Sequence, residues 1–282
     1  MGEVFRALAV LAEPPTVESR TIAHALAISR APDARAYTEL FTLTLYPYAS
    51  VYLGAEGMLG GEPRDRIAGF WRAIDAVPPQ EPDHLAALLG AYASLEDREA
   101  EASDPVRRES WSHARGAFLH EHLLSWLPPY LIKVDEIAPA YGAWARLLRD
   151  ALANAAVSSH ATKNVPSHFR ELPPLADPRE DGVPAFIASL LAPARSGIVL
   201  TRPDLQRASR ELGLGLRQGE RRFALEAILA QDPPRVLAWL NGEAQRWVEM
   251  HRASMPIRTT REYWIERARQ TAALLNELSA TL

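Results

Sequence analysis

The chain has 282 residues and a formal net charge of -4, and 48% of it is hydrophobic, so it can bury a core and is not disordered throughout. It has no cysteine, which excludes disulfides, iron–sulfur clusters and thiolate zinc sites. No apolar run approaches the roughly 20 residues a membrane span needs, and the start MGEVFRALAVLAEPP lacks a charged leader region followed by a cleavage site.

The elements are helical in chain order. ARAYTELFTLTLYPY carries apolar residues at Tyr37, Leu40, Phe41 and Leu45, at spacings of three and four, and Pro47 ends or kinks that helix. GAEGMLGGEPRDR is a glycine-rich loop. RDRIAGFWRAIDAV is a second helix, stopped by Pro78-Pro79. EPDHLAALLGAYASL is a third, with Leu85, Leu88, Leu89, Tyr92 and Leu95 along one side. RRESWSHARGAFLHEHLLSWL is a fourth, stopped by Pro128-Pro129, and APAYGAWARLLRDALANA is a fifth. HATKNVPSHFRELPPLADPREDGVP is rich in proline and charge and poor in periodicity, as a linker or long loop is.

Helical pattern resumes at PAFIASLLAP. TRPDLQRASRELG has Thr201 as N-cap and Gly213 as C-terminal stop, and three further helical stretches complete the tail. GIVLT near Ile198 is the best strand candidate. The expectation is an all-α protein: a helical bundle over residues 1–160, a linker or irregular loop over 161–182, and a helical extension over 183–282.

Charge divides unevenly along this plan. Residues 1–160 hold 21 acidic and 14 basic residues, against 14 and 17 in residues 161–282. The acidic front half favours a cationic partner over nucleic acid. Nearly all basic residues are arginine; Lys133 and Lys163 are the only lysines.

Few residues carry a chemical signature. In Glu81-Pro82-Asp83-His84, proline suits the first helical position and an acid suits the first turn, so Pro82 and Asp83 are explained as a helix start. His84 is not: a cation is disfavoured there, so its imidazole should stay neutral. In FLHEHLLSWLPP, His120 and His122 point to nearly opposite sides of a helix and cannot chelate one metal. His122 and Trp126 share a face, a pattern that more often marks a core than a groove. There is no G-x-S-x-G elbow, and the glycine loops lack the lysine and serine or threonine of a phosphate loop. No enzyme and no cofactor are expected. The seven arginines from Arg195 to Arg222 leave a second reading open, a helical regulator whose basic C-terminal region binds nucleic acid.

Three blocks then fall in a familiar order: ELFTLTLYPYASVYLGAEGMLGGEPRDRIAGFWRA, EPDHLAALLGAY and FLHEHLLSWLPPYL. Over residues 35–155 the chain resembles the TorD/DmsD-type chaperones, all-helical proteins that mature molybdenum-cofactor enzymes of the dimethyl sulfoxide reductase class. The resemblance implies a cytoplasmic binding protein. It would hold the twin-arginine signal peptide or the apo form of a client oxidoreductase, aid cofactor insertion and delay export. Carried over residue by residue, the binding positions are Glu81, Pro82, Asp83 and His84 from the first mark and His122, Trp126 and Pro128 from the second, with Trp71 a weaker member. A twin-arginine leader has a cationic start and an apolar middle, which calls for carboxylates and an aromatic groove. Asp83 is the expected arginine acceptor. A nucleotide and a second copy of the chain stand as further candidate partners.

Overall fold

Every regular element among the described residues is helical, as expected. The computed structural model describes all residues except Arg30, 160–163, 255–257 and Leu282, so Lys163 and the first residues of the expected linker lie outside the described residues. The helices are α1 (Gly2–Val10), α2 (Val17–Ala25), α3 (Ala34–Tyr37), α4 (Ala49–Leu53), α5 (Gly61–Ala73), α6 (Leu85–Glu101), α7 (Pro105–Phe118), α8 (Leu127–Ile137) and α9 (Gly142–Ser158). There follow α10 (Val183–Leu190), α11 (Pro193–Ser196), α12 (Arg202–Leu212), α13 (Arg221–Gln231), α14 (Pro233–Ser254) and α15 (Arg258–Ala280). Single π turns at Thr38–Thr42 and Leu119–Leu123 extend α3 and α7. The chain forms two compact units, each built from separate stretches: residues 1–50 with 60–166, and residues 51–59 with 167–282.

In the first unit, the apolar stripe of α6 is the organising surface. Leu85, Leu88, Leu89, Tyr92 and Leu95 are all fully buried. Helix α1 lies against it, with the Phe5 ring 4.6 Å from Tyr92 at an edge-on angle. Trp144 of α9 donates its indole N–H to the Leu8 carbonyl at 3.0 Å, which ties α9 to the same helix. The nine-residue helices α1 and α2 had no strong sequence signal. A helix that short is marginal alone, and the burial of Phe5 and Leu8 and the Thr16–Ser19 capping box of α2 stabilise them.

Several helix ends differ from expectation, and the second helix, α5, opens at Gly61 inside the expected glycine-rich loop and ends at Ala73, before Pro78-Pro79. The third helix begins at Leu85, not at Pro82, and His84 is its N-cap. The reason is an extended pairing: Leu85 N–H donates to the Pro47 carbonyl at 2.7 Å, and Ala49 N–H to the Asp83 carbonyl at 2.9 Å. The chain around Tyr48 and His84 thus forms an isolated antiparallel bridge before helical geometry starts. The first helix of the reading stops at Thr42, well before Pro47. The fourth breaks after Leu123, and Pro128-Pro129 lie inside the first turn of α8 rather than stopping a helix. Proline is tolerated there because the first-turn N–H groups need no intrahelical partner.

The second unit is held by α14 and α15, which run antiparallel, Ser279 near the end of α15 donating to the Pro234 carbonyl at the start of α14. GIVLT is not a strand. Ile198, Val199 and Leu200 are buried, but in an extended connection between α11 and α12. Its entry is a glycine for a physical reason: a Cβ on Gly197 would lie 2.2 Å from the Ala268 backbone, and φ is +72°. His251 donates from Nε2 to the Gly197 carbonyl at 2.8 Å, and Thr271 donates to the Ser196 carbonyl at 2.7 Å. Thr201 and Gly213 bound α12 as expected, with the Asp204 carboxylate accepting from both the N–H and the hydroxyl of Thr201. Residues 51–59 join this unit through Gly57, whose backbone packs so closely on Leu191 and Ala192 that a Cβ would come within 2.8 Å.

Candidate functional site

The bridge between Tyr48 and His84 sets the geometry of the first block. The carboxylate of Asp83 is 2% exposed and accepts from Ser50 N–H at 3.3 Å, near the start of α4. An anion at a helix start is favoured by the local dipole. The side chain expected to take an arginine is thus spent on the fold. Pro82 is buried as well, and Glu81 is the exposed carboxylate of the block. Glu81 Oε2 accepts from the Tyr48 hydroxyl at 2.8 Å.

His84 caps α6 by accepting from Ala86 N–H at Nδ1, 3.2 Å away. That bond places its proton on Nε2. Burial pushes its pKa below the usual imidazole value, against the upward pull of Glu13, Glu81 and Asp83. The neutral ring expected from the sequence follows, from burial and capping together. Glu13 Oε1 stands 3.5 Å from His84 Nδ1, and the Tyr48 ring lies 4.9 Å from the imidazole, edge-on. Burial, and then the Glu81 carboxylate, raise the Tyr48 phenol above its ordinary range; Tyr37 is raised by burial, then by Glu13 and Glu81. The charged side chains that bear on Tyr37, Tyr48 and His84 are all acids. Two apolar side chains, Leu43 and Tyr46, stay exposed in the same loop.

The second block lies in the core. His122, Trp126 and Pro128 are buried, and the Trp126 indole N–H donates to the His122 carbonyl at 2.9 Å. The His122 ring packs on Phe70 and Phe118, at 5.4 and 5.3 Å between ring centres. His120 bonds the Asn164 carbonyl at 2.8 Å through Nε2, and no group of metal-ligating side chains occurs among the described residues. Trp71 is half-buried in α5, with an indole N–H that finds no partner.

The sequence reading missed Glu13, Tyr37 and Tyr48. They sit in or beside turns and reach the block through contacts between distant positions, with no local pattern. The one available signal was the acidic excess of the front half.

Residues 17–131 match the model of the family described as nitrate reductase delta subunit. A curated relative, the chaperone protein TorD of Aeromonas salmonicida (strain A449), is 36% identical over 104 residues, covering 36% of this chain and 48% of the relative. The TorD of Vibrio vulnificus (strain YJ016) is 35% identical over 94 residues, covering 32% and 44%. Over this segment the chain is similar to the curated TorD chaperones. The chain thus spans about half the length of the curated TorD relatives it matches, and those relatives are named as chaperones, not enzymes. No solved structure matches the chain. The matched segment contains Tyr48, the E-P-D-H block and the second block; Glu13 precedes it.

Proposed function

We propose that the protein is a system-specific chaperone that receives the twin-arginine leader or apo form of a molybdenum-cofactor oxidoreductase, aids cofactor insertion and delays export. The observation that carries this reading is the set of carboxylates, Glu13, Glu81 and Asp83, around Tyr48 and His84, on a segment similar to named chaperones. Glu81 supplies the exposed charge for an arginine. Pro82, Asp83 and His84 hold it in place by pinning the loop to residues 47–50. Leu43 and Tyr46 offer apolar contact to the residues that follow the arginines, with Trp71 a further aromatic contact. His122, Trp126 and Pro128 act through the core that supports α6 and α8.

A leader needs this combination because a guanidinium gains most from a carboxylate beside an aromatic face. The measurement is fluorescence anisotropy of a labelled peptide with two adjacent arginines ahead of a leucine-rich segment. Binding should weaken as salt rises, and Glu81→Gln should raise Kd by about tenfold while leaving the melting temperature in place. A wild-type protein that ignores the peptide at low salt overturns the reading.

The alternative, nucleic-acid binding by the basic tail, draws less support. Arg207 is paired with Asp204, Glu211 and Glu243, Arg222 with Glu226, and Arg195 and Arg221 donate to the carbonyls of Pro174 and Leu200. Arg217 lies over the Phe223 ring. Side chains so engaged are poorly placed to neutralise phosphates.

A further inference from the structure

The acidic face continues beyond the E-P-D-H block. Glu13, in the turn after α1, is half-exposed and lies outside the segment that matches the family. Asp33 precedes α3. It caps that helix with Oδ1, accepting from Ala36 N–H at 2.9 Å, and the side chain is exposed. Tyr37 is the link between them. Its ring packs on Phe41 at 5.3 Å, and Phe41 packs on Tyr141 at 4.9 Å. Tyr141 is 1% exposed, and its hydroxyl has no hydrogen-bond partner. Phe41 thus bridges Tyr141 to Tyr37, whose N–H donates to the Asp33 carbonyl at 3.0 Å, and burial, with Tyr37 and Asp33 adding to it, raises the Tyr141 phenol. A buried hydroxyl without any partner is uncommon, and a ligand N–H that donates to its oxygen lowers the cost.

We propose that Glu13, Asp33 and Tyr37 form a second half of the leader site, so that two neighbouring guanidinium groups are held: one between Glu13 and Glu81 beside Tyr48, the other at Asp33 and Tyr37 over Tyr141. The inference rests on the reading that this face receives a twin-arginine leader. Guanidinium suits both halves better than ammonium does, because it is planar, forms paired bonds to carboxylates and stacks on tyrosine. The second half explains how a chain whose Asp83 is spent on the fold still offers several carboxylates to a doubly charged segment.

The test uses the full chain and the same labelled di-arginine peptide, with Glu13→Gln and Asp33→Asn as variants. Asparagine keeps the cap of α3, so Asp33→Asn removes only charge. Each variant should raise Kd by about fivefold, and Tyr141→Phe by about twofold. Glu101→Gln, which removes an exposed acid at the end of α6 opposite His84, is the control and should change nothing. Replacing both peptide arginines by lysine should weaken wild-type binding by about tenfold and weaken the two charge variants less. If the wild type binds the peptide and both charge variants bind it equally well, the second half is wrong and leader binding stands. If the wild type does not bind, both readings fail together.

Discussion

Of the residues in the E-P-D-H block, Glu81 is exposed; from His122 to Pro128 every residue is buried. Both blocks carry a histidine near a helix end and both lie within the segment that matches the family model. One histidine caps α6 at the edge of an acidic face, and the other packs between Phe70 and Phe118. The difference teaches that motifs in a fixed order need not build one surface.

The largest effect should come from the buried block. Trp126→Ala removes a fully buried indole together with its bond to the His122 carbonyl, and should cost about 3–5 kcal/mol. Chemical denaturation reads this directly. Peptide affinity of whatever fraction stays folded should match that of the wild type. A folded Trp126→Ala protein with full stability and weakened binding would break the comparison, because it would place the indole at the site.

Asp83 sits between the two cases. It belongs to the surface block by sequence and to the core by burial. Asp83→Ala leaves Ser50 N–H without its acceptor and should cost about 1–3 kcal/mol. Binding should fall as well, since the loop that carries Tyr48 loses an anchor. Loss of affinity with unchanged stability would instead mean that the carboxylate reaches the peptide itself.

These positions also mark what could be read without coordinates. The α6 stripe was legible because its apolar spacing is local and repeats, from Leu85 through Leu95. The capping of α12 by Thr201 and Gly213 was legible for the same reason. The start of α6 was not, because the pairing of residues 47–49 with 83–85 decides it. Pro128-Pro129 were ambiguous, since proline can follow one helix or open the next. GIVLT shows the limit of composition: an extended, buried apolar run is the same string whether or not a second strand lies beside it. At the site, the block itself was visible, but not the burial of Asp83 or the recruitment of Glu13 and Tyr48, which depends on how loops meet.

The smallest effect is the pH response of the surface histidine. Burial holds the His84 pKa below its ordinary value. The folded state therefore resists protonation more than the unfolded state does. Stability from this group is complete above the ordinary imidazole pKa of about 6.5 and declines as pH falls below it. Protonation would also convert Nδ1 from acceptor to donor, giving up the bond from Ala86 N–H in exchange for Glu13 at 3.5 Å. His84→Asn keeps an N-cap acceptor and cannot titrate. Its unfolding free energy should therefore drop less steeply between pH 6.5 and 5 than that of the wild type. Part of the slope should remain, because His120 and His251 are also held neutral by burial, the latter with its pKa pushed down to about 4. An unchanged slope in His84→Asn would mean that the ring at the acidic face is protonated as readily in the folded chain as in the unfolded one. The contrast between the two blocks would then lie in exposure alone.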